Sequence, residues 1–150
     1  MRDDETDVLI VEDNASDLEL ALRALSEHYP HHRVSVARDG AEALDFMFGE
    51  GRFAGRRIGA QPRLVLLDLK LPLVDGIEVL SRIRTDPRTR GLPVVALTAS
   101  ARESDVAEAY RRGVNSYLVK PVSFQTFAEA MKVVGAYWLM LNRPPQQQGS

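Results

Sequence analysis

A chain of 150 residues, 45% hydrophobic and 27% charged, has room for one domain whose core needs no staples. It contains no cysteine, which excludes disulfides, thiolate metal sites and cysteine nucleophiles, and its formal net charge of −2 gives no general attraction to nucleic acid or anionic membrane. No apolar stretch approaches the ~20 residues of a membrane span, and the acidic start from Met1 to Asp7 lacks the layout of a signal peptide, so a soluble, cytoplasmic chain is expected.

Residues 1–6 read as an N-terminal arm. The first predicted strand, Val8-Leu9-Ile10-Val11, is an unbroken apolar run ending in Glu12-Asp13-Asn14. A helix follows, with Leu18, Ala21, Leu22 and Leu25 recurring at the spacing of one helical face. His28, His31 and His32 surround Pro30 and read as a helix terminus and loop, not as metal ligands. Arg33 to Ala37 alternates as an edge strand does, and Ala41, Leu44 and Phe48 mark a second helix. Residues 49–62, which hold Arg52, Arg56 and Arg57, are longer than most connections and read, with Arg63 beyond them, as a solvated loop.

The next strand, Leu64-Val65-Leu66-Leu67, ends in Asp68, and a helix through Ile77, Leu80 and Ile83 stops before Pro87. Val94-Val95-Ala96-Leu97 ends in Thr98, and a helix through Val106, Ala109 and Tyr110 closes on Arg111-Arg112-Gly113. Tyr117-Leu118-Val119 ends in Lys120. The last helix is long, with Phe124, Phe127, Met131, Val134 and Trp138 on its core stripe. Val133, Ala136, Tyr137, Leu139, Met140 and Leu141 add apolar surface off that stripe. A helix apolar on two faces implies a second partner, here a homodimer through the fourth helix, fifth strand and fifth helix. The domain then spans residues 7–141, and residues 142–150, with Pro144-Pro145 and three glutamines, read as a disordered tail.

Five strands alternating with five helices predict an α/β doubly wound domain, and the continuous apolar strands predict a parallel sheet buried on both faces. Glu12 and Asp13, Asp68, Thr98 and Lys120 each follow an apolar run directly. In an open parallel sheet those positions border one crevice, where ligands bind. Asp13 or Asn14 on its own could simply cap the first helix, and Lys120 on its own could be a solvated lysine. Together the five groups suit phosphoryl transfer. Few carboxylates with waters and a phosphate oxygen match Mg²⁺, a carboxylate is competent to attack phosphorus, and a lysine with a hydroxyl can hold the equatorial oxygens.

These pieces resemble the receiver domain of two-component response regulators over about residues 7–138. The matching segments are Val11-Glu12-Asp13-Asn14, Asp39-Gly40-Ala41-Glu42-Ala43-Leu44, Leu66-Leu67-Asp68-Leu69-Lys70-Leu71-Pro72, Asp75-Gly76, Thr98-Ala99 and Lys120-Pro121. The resemblance implies a five-stranded flavodoxin-like sheet of order 2-1-3-4-5. It makes Asp68 the phospho-acceptor and Asp13 a direct Mg²⁺ ligand, with Glu12 helping in part through water and the Lys70 backbone carbonyl as a further ligand. Thr98 and Lys120 contact the phosphoryl group, and the Lys120–Pro121 peptide is cis. Tyr117 is the aromatic that moves with Thr98. Lys70, where many relatives have Asn, and Ser100 modulate phosphoryl lifetime.

The long 49–62 connection, the segment Pro93 to Ser100 and the aromatic last helix are similar to stand-alone receivers paired with bacteriophytochrome histidine kinases. That implies a histidine kinase as partner, with the kinase-reading surface on the first helix around Asp17 to Leu25, and output through protein contact or phosphate relay to another protein. It also implies a phospho-acceptor that acts only on its own phosphorylation. A haloacid-dehalogenase-like phosphatase needs a second acid where Lys70 stands. A degenerate receiver is opposed by the complete set of groups.

Overall fold

The computed structural model describes residues 6–56, 61–120 and 123–144. The strands are β1 (Val8–Val11), β2 (Val34–Ala37), β3 (Leu64–Leu67), β4 (Val94–Thr98) and β5 (Ser116–Val119). The helices are α1 (Ala15–His28), α2 (Gly40–Phe48), α3 (Gly76–Thr85), α4 (Glu103–Arg111) and α5 (Phe124–Gly135). The strands pair in parallel in the order β2-β1-β3-β4-β5, as expected.

Side chains alternate across a strand, so β1, β3 and β4 feed two cores. Leu9, Val11, Val65, Leu67, Val94 and Ala96 join a cluster with residues of α2, α3 and α4. Val8, Ile10, Leu64, Leu66, Val95 and Leu97 join the other, with α1 and α5. Each fully buried aliphatic or aromatic side chain contributes roughly 1.5–3 kcal/mol, which is why strands apolar on both faces can only be internal.

Two glycines of the matched segments have a steric reason. A Cβ on Gly40 would lie 1.8 Å from the Val74 carbonyl oxygen. One on Gly76 would lie 2.4 Å from the carbonyl oxygen of Asp68, so only glycine lets α3 start against the backbone of Asp68. Arg84 ties the far end of α3 to its neighbours, donating to the carbonyls of Gly113 (2.8 Å), Arg90 (3.0 Å) and Leu92 (2.7 Å) and to Asn115 Oδ1 (2.8 Å).

The structure corrects several expectations. Strand β5 is half-buried, with Val119 45% exposed, because it lies at the sheet edge and not inside it. On α1, Ala24 is buried and Leu22 turns outward. On α4 only Ala109 is buried and Tyr110 is exposed. Arg56 is not solvated: it is buried, its guanidinium lies 3.8 Å from the Phe46 ring centroid, and it donates to the Phe46 carbonyl at 2.8 Å. With Gln61, which donates to the Met47 carbonyl at 2.8 Å, it serves the open end of α2. Arg52 is solvated but paired with Glu42, and Arg57 lies outside the described residues.

The last helix changes pitch. Beyond α5 the chain continues as a π-helical turn, Ala136–Leu141, in which the Asn142 amide donates to the Tyr137 carbonyl. The wider turn advances the buried stripe by one residue, so Leu139 is buried, contrary to expectation, while Trp138 is only half-buried. Val133, Tyr137, Met140 and Leu141 do stand exposed. At the start of the chain Thr6 is buried against Ser35, which ties down the end of the expected arm, and residues 145–150 of the expected tail lie outside the description.

Candidate functional site

Strands β1, β3, β4 and β5 end at one rim, and the register there sets the site. Val11 pairs with Leu67, so Glu12 and Asp68 leave the sheet side by side. Thr98 pairs with Val119, and the Lys120 amide donates to the Thr98 carbonyl at 2.8 Å. Glu12, Asp68 and Thr98 are buried, whereas Asp13 is exposed. One carboxylate oxygen each from Glu12, Asp13 and Asp68 lies within 4.8 Å of the others.

The helix starts decide which acid does what. Asn14, not Asp13, caps α1, accepting from the Asp17 amide at 2.9 Å. Asp13 is thereby left for the rim. Asp39 and Ser123 cap α2 and α5 in the same way, accepting from the Glu42 and Thr126 amides, and Asp75 at the start of α3 accepts from the Gly76 amide.

Asp68 is held on both oxygens. The Lys70 amide donates to Oδ1 at 3.0 Å, and Lys120 Nζ donates to Oδ2 at 2.9 Å. Lys120 also reaches Glu12 Oε1 at 2.9 Å and Asp17 Oδ2 at 2.7 Å. Burial works against its charged form, yet the bonds to Asp17, Glu12 and Asp68 outweigh that and hold its ammonium above the ordinary lysine value. Asp17 was not among the residues expected here. As an acid in the first turn of α1 it carries no signal in the sequence of this longer reach.

Glu12 is pushed up to about 7, first by burial and then by the hydrogen bond and charge of Asp68, against the pull of Lys120 and of the Asn14 amide. A carboxylate raised from 4.5 to about 7 favours the fold fully while protonated, so that contribution is lost as pH rises through this window. Metal-free protein should therefore lose on the order of 3 kcal/mol between pH 4.5 and 7.5 from this group, and Glu12→Gln should flatten that slope. Urea melts in EDTA check it; an unchanged slope in the variant would rule Glu12 out as its source.

Beside these acids, a cleft is lined by Thr98, Ser100, Tyr117, Lys70 and Asp105. The Tyr117 hydroxyl donates to the Ser100 carbonyl at 2.8 Å, and Ser100 Oγ bonds Asp105 Oδ2 at 2.5 Å. The ring of β5 is thus linked to the loop that leaves Thr98. Lys70 is exposed at the mouth. Pro121 lies outside the described residues, and so does the expected cis peptide.

The donor chemistry fits a hard divalent cation: oxygen ligands only, crowded enough that Glu12 resists ionising with a single lysine for compensation. Among the described residues no helix is long and apolar enough to cross a membrane.

Comparison with known proteins agrees with this geometry. The family model described as "Response regulator receiver domain" matches residues 8–132. The probable methanogenesis regulatory protein FilR2 of Methanothrix harundinacea is 45% identical over 139 residues, covering 92% of this chain and 86% of that protein. The crystal structure of the phosphorylated cyanobacterial phytochrome response regulator RcpA superposes with a TM-score of 0.86 at 35% identity, covering 94% of this chain and 99% of that one. The Mn²⁺-bound form of response regulator Rcp1 gives a TM-score of 0.84 at 34% identity, covering 93% and 99%.

Proposed function

This chain belongs to the response regulator receiver family, and on that premise we propose that Asp68 accepts a phosphoryl group from a histidine kinase and signals through the resulting change of shape. The observation that carries the reading is the double restraint of a buried carboxylate: Asp68 is held by an amide on Oδ1 and an ammonium on Oδ2, with two further acids at its side.

Asp68 attacks the phosphorus of a phosphohistidine as a carboxylate. A P–O bond forms, the P–N bond breaks, and the imidazole leaves with its electron pair and takes up a proton. Water later attacks the acyl phosphate, releasing phosphate and restoring the carboxylate. Lys120 meets developing charge on the phosphoryl oxygens, and Thr98 donates its hydroxyl to another. Mg²⁺, held by Asp13, Asp68, the Lys70 carbonyl and Glu12 in part through water, would supply the remaining charge neutralisation; the Mn²⁺-bound relative supports a divalent ion of this kind. Tyr117 reports the movement of Thr98 through the Ser100 carbonyl, and Lys70 and Ser100 set the lifetime from the mouth of the cleft.

No external substrate is turned over. The kinase we propose is of the phytochrome type, in the cytoplasm, supported by the likeness to RcpA, with α1 as the surface it reads. The output contact we propose is a second copy of this chain. Val133, Tyr137, Met140 and Leu141 are 51% to 74% exposed, and Tyr110 of α4 and Val119 of the edge strand β5 are exposed as well. Sedimentation at tens of micromolar, on the order suited to weak interfaces, should show a dimer, and a monomer there would remove this contact.

The central test is incubation with Mg²⁺ and acetyl phosphate followed by mass spectrometry. One phosphoryl adduct is expected. No adduct overturns the reading, and sustained hydrolysis of many phosphomonoesters would replace it with a phosphatase.

A further inference from the structure

Lys120 is shared among three acids, and one of them stands apart. An ammonium has three N–H donors, and the acceptors here are Asp17 at 2.7 Å and Glu12 and Asp68 at 2.9 Å each. No donor is left for a phosphoryl oxygen while all three bonds stand. Glu12 and Asp68 also belong, with Asp13, to the cluster of oxygens suited to a cation; Asp17 does not. A cation that draws on Glu12 and Asp68 weakens their hold on Lys120 and releases N–H donors. Asp17 has no competing claim and keeps its bond.

The anchor is well mounted. Asp17 sits in the first turn of α1, its amide tied to Asn14 Oδ1 at 2.9 Å, on a helix fixed by buried Leu18, Ala21 and Leu25. Lys120 has less to hold it. It follows an edge strand whose last residue, Val119, is 45% exposed, and its unbranched four-carbon stem is fixed at the tip by the three acids. Without Asp17, its ammonium swings toward solvent or collapses onto the acids that the cation needs.

We propose that Asp17 is a positioning residue for phosphoryl recognition, holding the Lys120 ammonium over Asp68 when the metal-side acids let go. The inference rests on Asp68 being the acceptor. Removing a negative charge next to an anion site should, by its field alone, tighten anion binding. Loss of a positioning group weakens it.

The experiment is titration of beryllofluoride in saturating Mg²⁺, followed by ¹⁹F NMR, on the full chain and on Asp17→Ala, Asp17→Asn and Asp17→Glu. Beryllofluoride affinity should fall about tenfold in Asp17→Ala, the loss of roughly one charge-assisted hydrogen bond, and at least half of that should return in Asp17→Glu. Mg²⁺ affinity, titrated alone, should shift less than threefold. Unchanged or tighter beryllofluoride binding in Asp17→Ala and Asp17→Asn, with the wild type binding normally, overturns the role of Asp17 alone. So does an equal fall in Mg²⁺ affinity, which would mark Asp17 as part of the cation site. A wild type that takes no beryllofluoride overturns the acceptor reading itself, and the role of Asp17 with it.

Discussion

Asp68→Asn should take up no phosphoryl group from acetyl phosphate under conditions that modify the wild type, a loss of at least about 100-fold in rate, because the amide has no lone pair basic enough to attack phosphorus. The substitution keeps the size of the side chain but replaces Oδ2, which accepts from Lys120 at 2.9 Å, with an amide nitrogen that cannot accept. Asn Oδ1 still accepts from the Lys70 amide. The charge it removes is one that raises Glu12, which offsets part of the lost bond to Lys120, so in metal-free buffer the variant should lose less stability than one lacking the ammonium. Intact-mass measurement reads the first result and urea denaturation the second. Equal adduct on both proteins would place the acceptor elsewhere, and a variant that fails to fold would show that Asp68 is structural before it is chemical.

The part of the molecule visible in the sequence is the part where chain order and geometry are rigidly coupled. Val8 to Val11, Leu64 to Leu67 and Val94 to Leu97 are apolar at every position, which only a strand covered on both faces tolerates. Parallel strands bring their C-terminal ends to one rim, so Glu12, Asp13, Asp68, Thr98 and Lys120 could be grouped without coordinates. Asp17 could not be grouped with them. An acid in the first turn of a helix is already accounted for by the helix dipole, and nothing in composition distinguishes one that also reaches a lysine 103 residues away. An arginine-rich loop is normally solvated, but Arg56 is buried because the carbonyls at the end of α2 need donors and the Phe46 ring offers a flat face. The phase of the last helix failed for a third reason. A 3.6-residue period cannot anticipate a π turn, so Leu139 turns inside while Trp138, still packed against the core, is only half-buried.

Lys120→Met isolates the electrostatic core of the site. The stem keeps its volume, so what disappears is the charge shared by Asp17, Glu12 and Asp68. Glu12 and Asp68 are buried to within a few per cent and cannot turn to water, whereas Asp17, with 30% of its side chain exposed, can recover part of its loss. Removing one partner of a buried ion pair costs roughly 3–5 kcal/mol; allowing for the exposed acid, a loss of about 2–4 kcal/mol at pH 8 is expected. The sign of its pH dependence follows. Without the ammonium, burial and mutual repulsion raise Glu12 further above its wild-type value of about 7, so the variant folds best where that acid is protonated. The deficit should shrink by at least half at pH 5, where a neutral carboxyl needs no counter-charge. Saturating Mg²⁺ should recover part of it at pH 8, by mass action on the folded state. Urea unfolding of both proteins at the two pH values, with and without Mg²⁺, reads all three effects. A deficit of equal size at pH 5 and pH 8 would mean that Lys120 stabilises by packing alone. The acids would then have to be held by something other than its charge.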